Sequence, residues 1–111
     1  MTTIFSKIIN REVPADIVYE DEHCLAFRDI NPVAPTHILV IPKRAITALG
    51  TASNEDGELL AACLMACNSV AAQEGLTDFR VVTNSGAGAG QSVFHLHFHV
   101  IGGRPLTWPP G

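Results

Sequence analysis

The chain predicts a single α+β domain with a five-stranded, mostly antiparallel sheet, one long helix and one short helix. Three observations carry that expectation. Strand-like runs outnumber helical ones and do not alternate with them, which argues against a wound parallel sheet. A length of 111 residues leaves room for one domain, residues 1–111. A hydrophobic fraction of 47% supplies a core, although so small a chain buries its surface inefficiently, and dimerisation is a common remedy.

The elements follow in order. Residues 3–9 suit a short helical turn with Phe5 and Ile8 facing inward. Pro14 marks a turn. Ile17–Glu20 reads as a strand, Asp21-Glu22 as the turn after it, and Cys24–Arg28 as the second arm of a hairpin. Asn31-Pro32-Val33-Ala34-Pro35 breaks the pattern, since two prolines in so short a stretch suit a loop. His37–Ile41 is a third strand, closed by Pro42. A long helix is expected from Asn54 to Glu74, capped by Ser53 or Asn54, with acids in its first turn and Gly75 as its stop. Leu60, Leu64, Cys67 and Ala71 trace its apolar stripe. Phe79–Thr83 is a fourth strand, residues 84–91 a glycine-rich loop, and residues 93–101 a fifth strand.

Bulk properties narrow the function. A net charge of −4 argues against a general nucleic-acid binder. It leaves room for a small phosphate site, which needs local donors. No segment has the length of a membrane span, and Met1–Lys7 lacks the basic start and apolar stretch of a signal peptide. The three cysteines, Cys24, Cys63 and Cys67, have no paired zinc spacing. Cys63 and Cys67 share one helix face and are expected to pack as small hydrophobes. A reducing, cytoplasmic setting is expected.

The fifth strand carries the chemistry. His95, His97 and His99 are three of the five histidines and alternate with Phe94, Leu96, Phe98 and Val100. On a regular strand the imidazoles would face one side, about 7 Å apart, and the apolar residues the other. Imidazole is the side chain that titrates near neutral pH. The plain alternative is the solvated face of a half-buried strand. The loop Asn84–Ser92 leads straight into the triad. Its glycines permit close backbone approach and positive φ, and successive N–H groups in such a loop can hold a phosphate. Neither a Walker A lysine nor a following helix is present. With the Gln91 amide and the Ser92 hydroxyl as donors, the loop reads as a phosphate cradle.

Metal binding is the rival. Histidines one residue apart can both ligate zinc, with His37 or a carboxylate as a third ligand. On a regular strand, however, the outer two histidines lie too far apart for one ion to bind all three easily. Nucleophilic attack on phosphorus fits better. Neutral imidazole can form a covalent intermediate, and flanking donors can stabilise the phosphoryl oxygens. Asp29, before Asn31-Pro32, is either a turn former or an acceptor for ribose hydroxyls. Phe27, Ile30 and Leu39 are either core or the walls of a base pocket. His37 could orient a triad imidazole, and His23 reads as a surface residue.

The run Gly90–Val100 resembles the signature of the histidine triad (HIT) superfamily. Ile4–Ile9, Cys24–Ile30, Ala34–Pro42 and Trp108-Pro109-Pro110-Gly111 are similar to its Hint branch, and the likeness covers nearly the whole chain. The resemblance implies the HIT fold, with two five-stranded sheets joined into ten strands across a homodimer. It implies purine nucleoside monophosphate binding and hydrolysis of adenosine phosphoramidates, including AMP-lysine and aminoacyl-adenylate-type substrates. No cofactor, nucleic acid or membrane partner is implied. His97 matches the nucleophile that would carry a nucleotidyl-histidine. His95 and His99 match the histidines that contact phosphate and assist proton transfer, and His37 matches the outlying histidine supporting them. Asp29 matches the ribose acid, and Asn84, Gly90, Gln91, Ser92 and Val93 match the phosphate-side loop. Phe5, Ile8, Phe27, Ile30 and Leu39 match the base pocket. Trp108 matches a tail residue reaching toward the partner's site. Arg28 stands where many Hint-branch proteins carry histidine, and the 84–90 loop is less polar than in many relatives. The alternative function is a metal-binding or non-catalytic, nucleotide-sensing interaction protein.

Overall fold

A computed structural model describes residues 2–111. The elements are α1 (Ile4–Ile9), β1 (Ile17–Glu20), β2 (Cys24–Arg28), β3 (Thr36–Pro42), α2 (Gly57–Gln73), β4 (Phe79–Val82) and β5 (Phe98–Gly102). Short 3₁₀ turns occupy Leu49–Thr51, Asn54–Asp56 and Ala87–Ala89. All five strands join one antiparallel sheet in the order β1-β2-β3-β5-β4.

Strand alternation splits the core into two layers. Cys24 and Ala26 of β2, Ile38 and Val40 of β3, and Phe98 and Val100 of β5 face α2, where they meet Cys63, Ala66, Cys67, Val70 and Ala71. Leu25, Phe27, Leu39 and Ile41 point the other way and are covered by Phe5 and Ile8 of α1. α1 is short, so its ends matter: the Thr3 hydroxyl accepts the Ser6 N–H while the Ser6 hydroxyl accepts the Thr3 N–H. The cysteines pack as small hydrophobes, with Cys24 and Cys63 fully buried and 3.6 Å apart at sulfur.

Three expectations about element detail are corrected. The first turn of the long helix is 3₁₀, because the Asp56 carboxylate folds back on the Ser53 N–H and the Asp56 N–H bonds Ser53 O. The buried stripe of α2 runs through Cys63, Ala66, Cys67, Val70 and Ala71, while Leu64 is 49% exposed. Small residues let the helix lie close on the sheet, which rotates the larger Leu64 outward.

The third correction concerns the histidine run. β5 begins at Phe98, not at residue 93. The ladder with β3 runs from Thr36↔Gly102 to Val40↔Phe98 and then stops, although β3 itself continues to Pro42. Leu96 donates its N–H to Ile46 O instead. His95 and His97 therefore sit on an irregular lead-in, and only His99 lies on the strand. Phe94, expected on the apolar face of a regular strand, is 43% exposed.

Candidate functional site

α1, the end of β2 and the lead-in to β5 enclose a cleft of about 770 Å³. Ile4, Phe5, Ile8, Phe27, Leu39 and Val93 make it largely apolar, and Asp29, Ser92, His97 and His99 supply polar groups. Of the residues singled out from the sequence, Phe5, Ile8, Phe27, Asp29, Ile30, Leu39, Ser92, Val93, His97 and His99 line this one cleft. Ile30 sits at the mouth, 91% exposed.

Hydrogen-bond partners, mostly main-chain, determine where each imidazole carries its proton. His97 Nδ1 lies 2.8 Å from the His95 carbonyl. A carbonyl only accepts, so Nδ1 holds the hydrogen and Nε2 keeps a free lone pair. His95 Nε2 lies 2.8 Å from Pro42 O and is likewise the donor. His95 Nδ1 is then a buried acceptor with no hydrogen-bond partner among the described residues. His37 runs the opposite way. Its Nδ1 accepts the Val33 N–H at 3.1 Å, so its hydrogen is on Nε2. That Nε2–H faces His99 Nδ1 at 2.9 Å and Asp29 Oδ2 at 3.4 Å. His99 Nδ1 is thus an acceptor, and its own hydrogen sits on Nε2.

The three rings of the triad are kept neutral. Burial pushes His95 and His97 below the ordinary histidine range. His99 is pushed down to about 4, by burial first and then by the proximity of His97 and His37, with Asp29 opposing. Phe5 contributes directly: its ring meets His97 edge-on at 5.0 Å and His95 at 6.1 Å between centroids. Asp29 is oriented by its own loop, with Oδ1 accepting the Asn31 N–H at 2.8 Å.

Arg28 also lines the cleft, and the remaining sequence candidates lie behind its wall or outside it. His95 is 2% exposed and sits behind His97, not on the cleft surface. His37 lies behind His99 and is 7% exposed. The Gln91 side chain is spent inside the loop: its Oε1 accepts the Gly86 N–H, and its Nε2 donates to Thr47 O and Val93 O. Gly90 ends the 3₁₀ turn at φ 100°, a conformation that favours glycine. Asn84 is half-buried beside it. Trp108 is 81% exposed. Arg28 forms a two-point pair with Glu74 at 2.8 and 2.9 Å, which holds the Glu74 carboxyl below its usual range. The pair ties β2 to the end of α2 and leaves the triad untouched.

Sequence reasoning missed two groups. Val13, Pro14, Ala15 and Asp16 complete the cleft wall, where only Pro14 carried a signal and that was for a turn. The Val33 N–H sets the His37 tautomer, and a main-chain donor has no side-chain signature. One further arrangement bears on metal: a ligand atom from each of Asp29, His37 and His99 lies within 4.8 Å of the others.

The HIT domain family matches residues 10–106. A HIT-like protein of Synechocystis sp. is 58% identical over 110 residues, covering 98% of this chain and 96% of its own. A 14 kDa zinc-binding protein of Zea mays is 54% identical over 112 residues, covering 98% and 88%. Among solved structures, a HIT family hydrolase from Legionella pneumophila superposes with a TM-score of 0.96 at 47% identity, covering 99% of this chain and 100% of that one. A HIT family hydrolase from Clostridium thermocellum gives 0.92 at 42% identity, covering 96% and 94%. With fold, triad and near full-length identity in agreement, this chain belongs to the HIT family.

Proposed function

We propose that this protein is a nucleoside phosphoramidase that cleaves the P–N bond of purine nucleoside 5′-phosphoramidates such as AMP-lysine, and the corresponding P–O bond of aminoacyl-adenylate-type compounds, through a nucleotidyl-His97 intermediate. The observation that carries the reading is the His97 Nδ1–H···O=C bond to His95. It leaves a neutral Nε2 lone pair beside a cleft walled for a base. Phe5, Ile8, Phe27, Ile30 and Leu39 receive the purine, and Asp29 accepts the ribose hydroxyls. The loop Asn84–Val93, with Gly90, Ser92 and the fold-stabilising Gln91, borders the phosphate.

His97 Nε2 attacks phosphorus, and the P–N bond breaks as a P–N(imidazole) bond forms. The leaving nitrogen takes up one proton from solvent and departs as an amine. Water then attacks the nucleotidyl-histidine, releases the monophosphate and returns that proton, so the sum consumes only water. His99 presents Nε2–H toward developing phosphoryl charge, while His37 holds His99 in that tautomer. His95 acts through its carbonyl on His97. The expected outcome is that His97→Ala abolishes turnover of an adenosine phosphoramidate while AMP binding largely survives. Retained turnover in that variant would remove the covalent route.

A homodimer is part of this reading. β4 forms one edge of the sheet, and α2 exposes Leu64 and Met65. Pairing two copies would extend the sheet and bring the exposed Trp108 tail toward the partner's cleft. Sedimentation equilibrium checks the stoichiometry.

The Asp29–His37–His99 cluster favours a second reading, a metal site. Exhaustive chelation followed by assay separates the two. Full activity in metal-free protein supports hydrolysis by the imidazoles alone.

A further inference from the structure

The His37–His99 pair depends on a loop with little to hold it. Val33 is 55% exposed, and Asn31, Pro32 and Pro35 are exposed beside it. Yet the Val33 N–H must stay aimed at His37 Nδ1 for His37 to keep its hydrogen on Nε2. Were that donor to swing away, His37 would be free to carry its hydrogen on Nδ1. Its Nε2 would then be an acceptor facing another acceptor, His99 Nδ1, and His99 would have to turn or change tautomer as well.

Arg104 grips the same residue by its other backbone group, the carbonyl of the following peptide unit. Its Nε and Nη2 both donate to Val33 O, at 3.1 and 2.9 Å, and its Nη1 donates to Pro105 O at 3.0 Å. The approach is close by design of the backbone. Gly103 has φ 93°, and a Cβ there would stand 2.9 Å from the Pro35 side chain. The end of β5 therefore lies directly against the loop, and the guanidinium needs no long reach. Two donors on one carbonyl fix direction better than one, since the fork is planar and rigid.

We propose that Arg104 is a positioning residue for the triad: by clamping Val33 O it holds the Val33 N–H on His37, and so sets the tautomers of His37 and His99. Arg104 touches neither substrate nor imidazole. The titratable groups around the pair are Asp29 on the His37 side and His97 on the His99 side. Neither replaces the Val33 N–H at His37 Nδ1. The kinetic arm of the test rests on the phosphoramidase reading; the tautomer itself does not.

The experiment compares the full chain with Arg104→Ala and Arg104→Lys by long-range ¹H–¹⁵N correlation of the histidine rings at pH 7.5. Wild type is expected to show His37 and His99 each protonated on Nε2 alone. Arg104→Ala is expected to show mixed His37 tautomers, and Arg104→Lys, which keeps a cationic donor without the planar fork, to restore part of the single form. Val33→Pro, which deletes the N–H itself, should give the same mixture. On an adenosine phosphoramidate, Arg104→Ala should lose about tenfold in kcat with KM within about twofold. Unchanged ring tautomers in Arg104→Ala overturn the proposal, whatever the rate. Mixed tautomers with unchanged kcat overturn the link to catalysis. If wild type shows no phosphoramidase turnover, that reading fails, and the ring spectra still decide the role of Arg104.

Discussion

Neutral buried imidazoles make the fold sensitive to mild acid, and His99 gives the magnitude. Its pKa falls from the ordinary 6.5 to about 4 in the folded chain. The folded state therefore binds fewer protons than the unfolded state anywhere between those values. Stability is fully present above pH 6.5 and is lost as pH falls toward 4. Between pH 7.5 and pH 5, His99 alone should remove about 2 kcal/mol. His95 and His97 are displaced in the same direction and add to the loss. Glu20, Asp21, Asp56 and Glu74 are displaced downward too, but their ordinary values of 4.5 or 3.8 lie below pH 5, so they add little within this window and add equally to wild type and control. The control is His99→Asn, whose amide oxygen can accept the His37 Nε2–H without titrating. Urea unfolding at pH 7.5, 6.0 and 5.0 should show wild type losing about 2 kcal/mol more than the variant across that window. Equal losses in the two proteins, or a His99 Cε1–H resonance titrating near 6.5, would refute the reasoning.

Two other outcomes are expected. Asp29→Ala should weaken AMP binding by roughly tenfold or more and weaken 2′-deoxy-AMP binding much less; equal losses by calorimetry would take Asp29 out of the ribose role. Phe5→Ala should cost about 3 kcal/mol in urea unfolding and lower turnover as well, because the same ring packs on Phe27 and on the edges of His95 and His97.

Much of the fold was legible because its signals are local. Cys24–Arg28 and His37–Ile41 are β-rich runs bounded by turn residues, and the structure places both as central strands. Phe5 and Ile8 show their shared face within one short helix. Other features were set by distant partners. The alternation His95-x-His97-x-His99 describes any extended segment, so it could not reveal that the ladder ends at Phe98. That end depends on Leu96 N–H finding Ile46 O. Leu64 was placed in the core by period alone, whereas the small side chains of Cys63, Ala66 and Ala71 decided which face lies nearest the sheet. Residue type marked the site's imidazoles and carboxylate. It said nothing of how Gln91 spends its amide inside the loop, nor of Val33, whose contribution is a peptide N–H.

The early end of β5 has a consequence for how this site tolerates mutation. Beyond Val40↔Phe98 the β3–β5 ladder no longer claims the carbonyls of Pro42 and His95, and each is taken by an imidazole instead. The atoms that decide the protonation of His95 and His97 therefore belong to the peptide chain. No side-chain replacement at Pro42 or at position 95 deletes them. The free Nε2 lone pair of His97 is specified by the path of the backbone, and it is heritable with the fold even where neighbouring side chains drift.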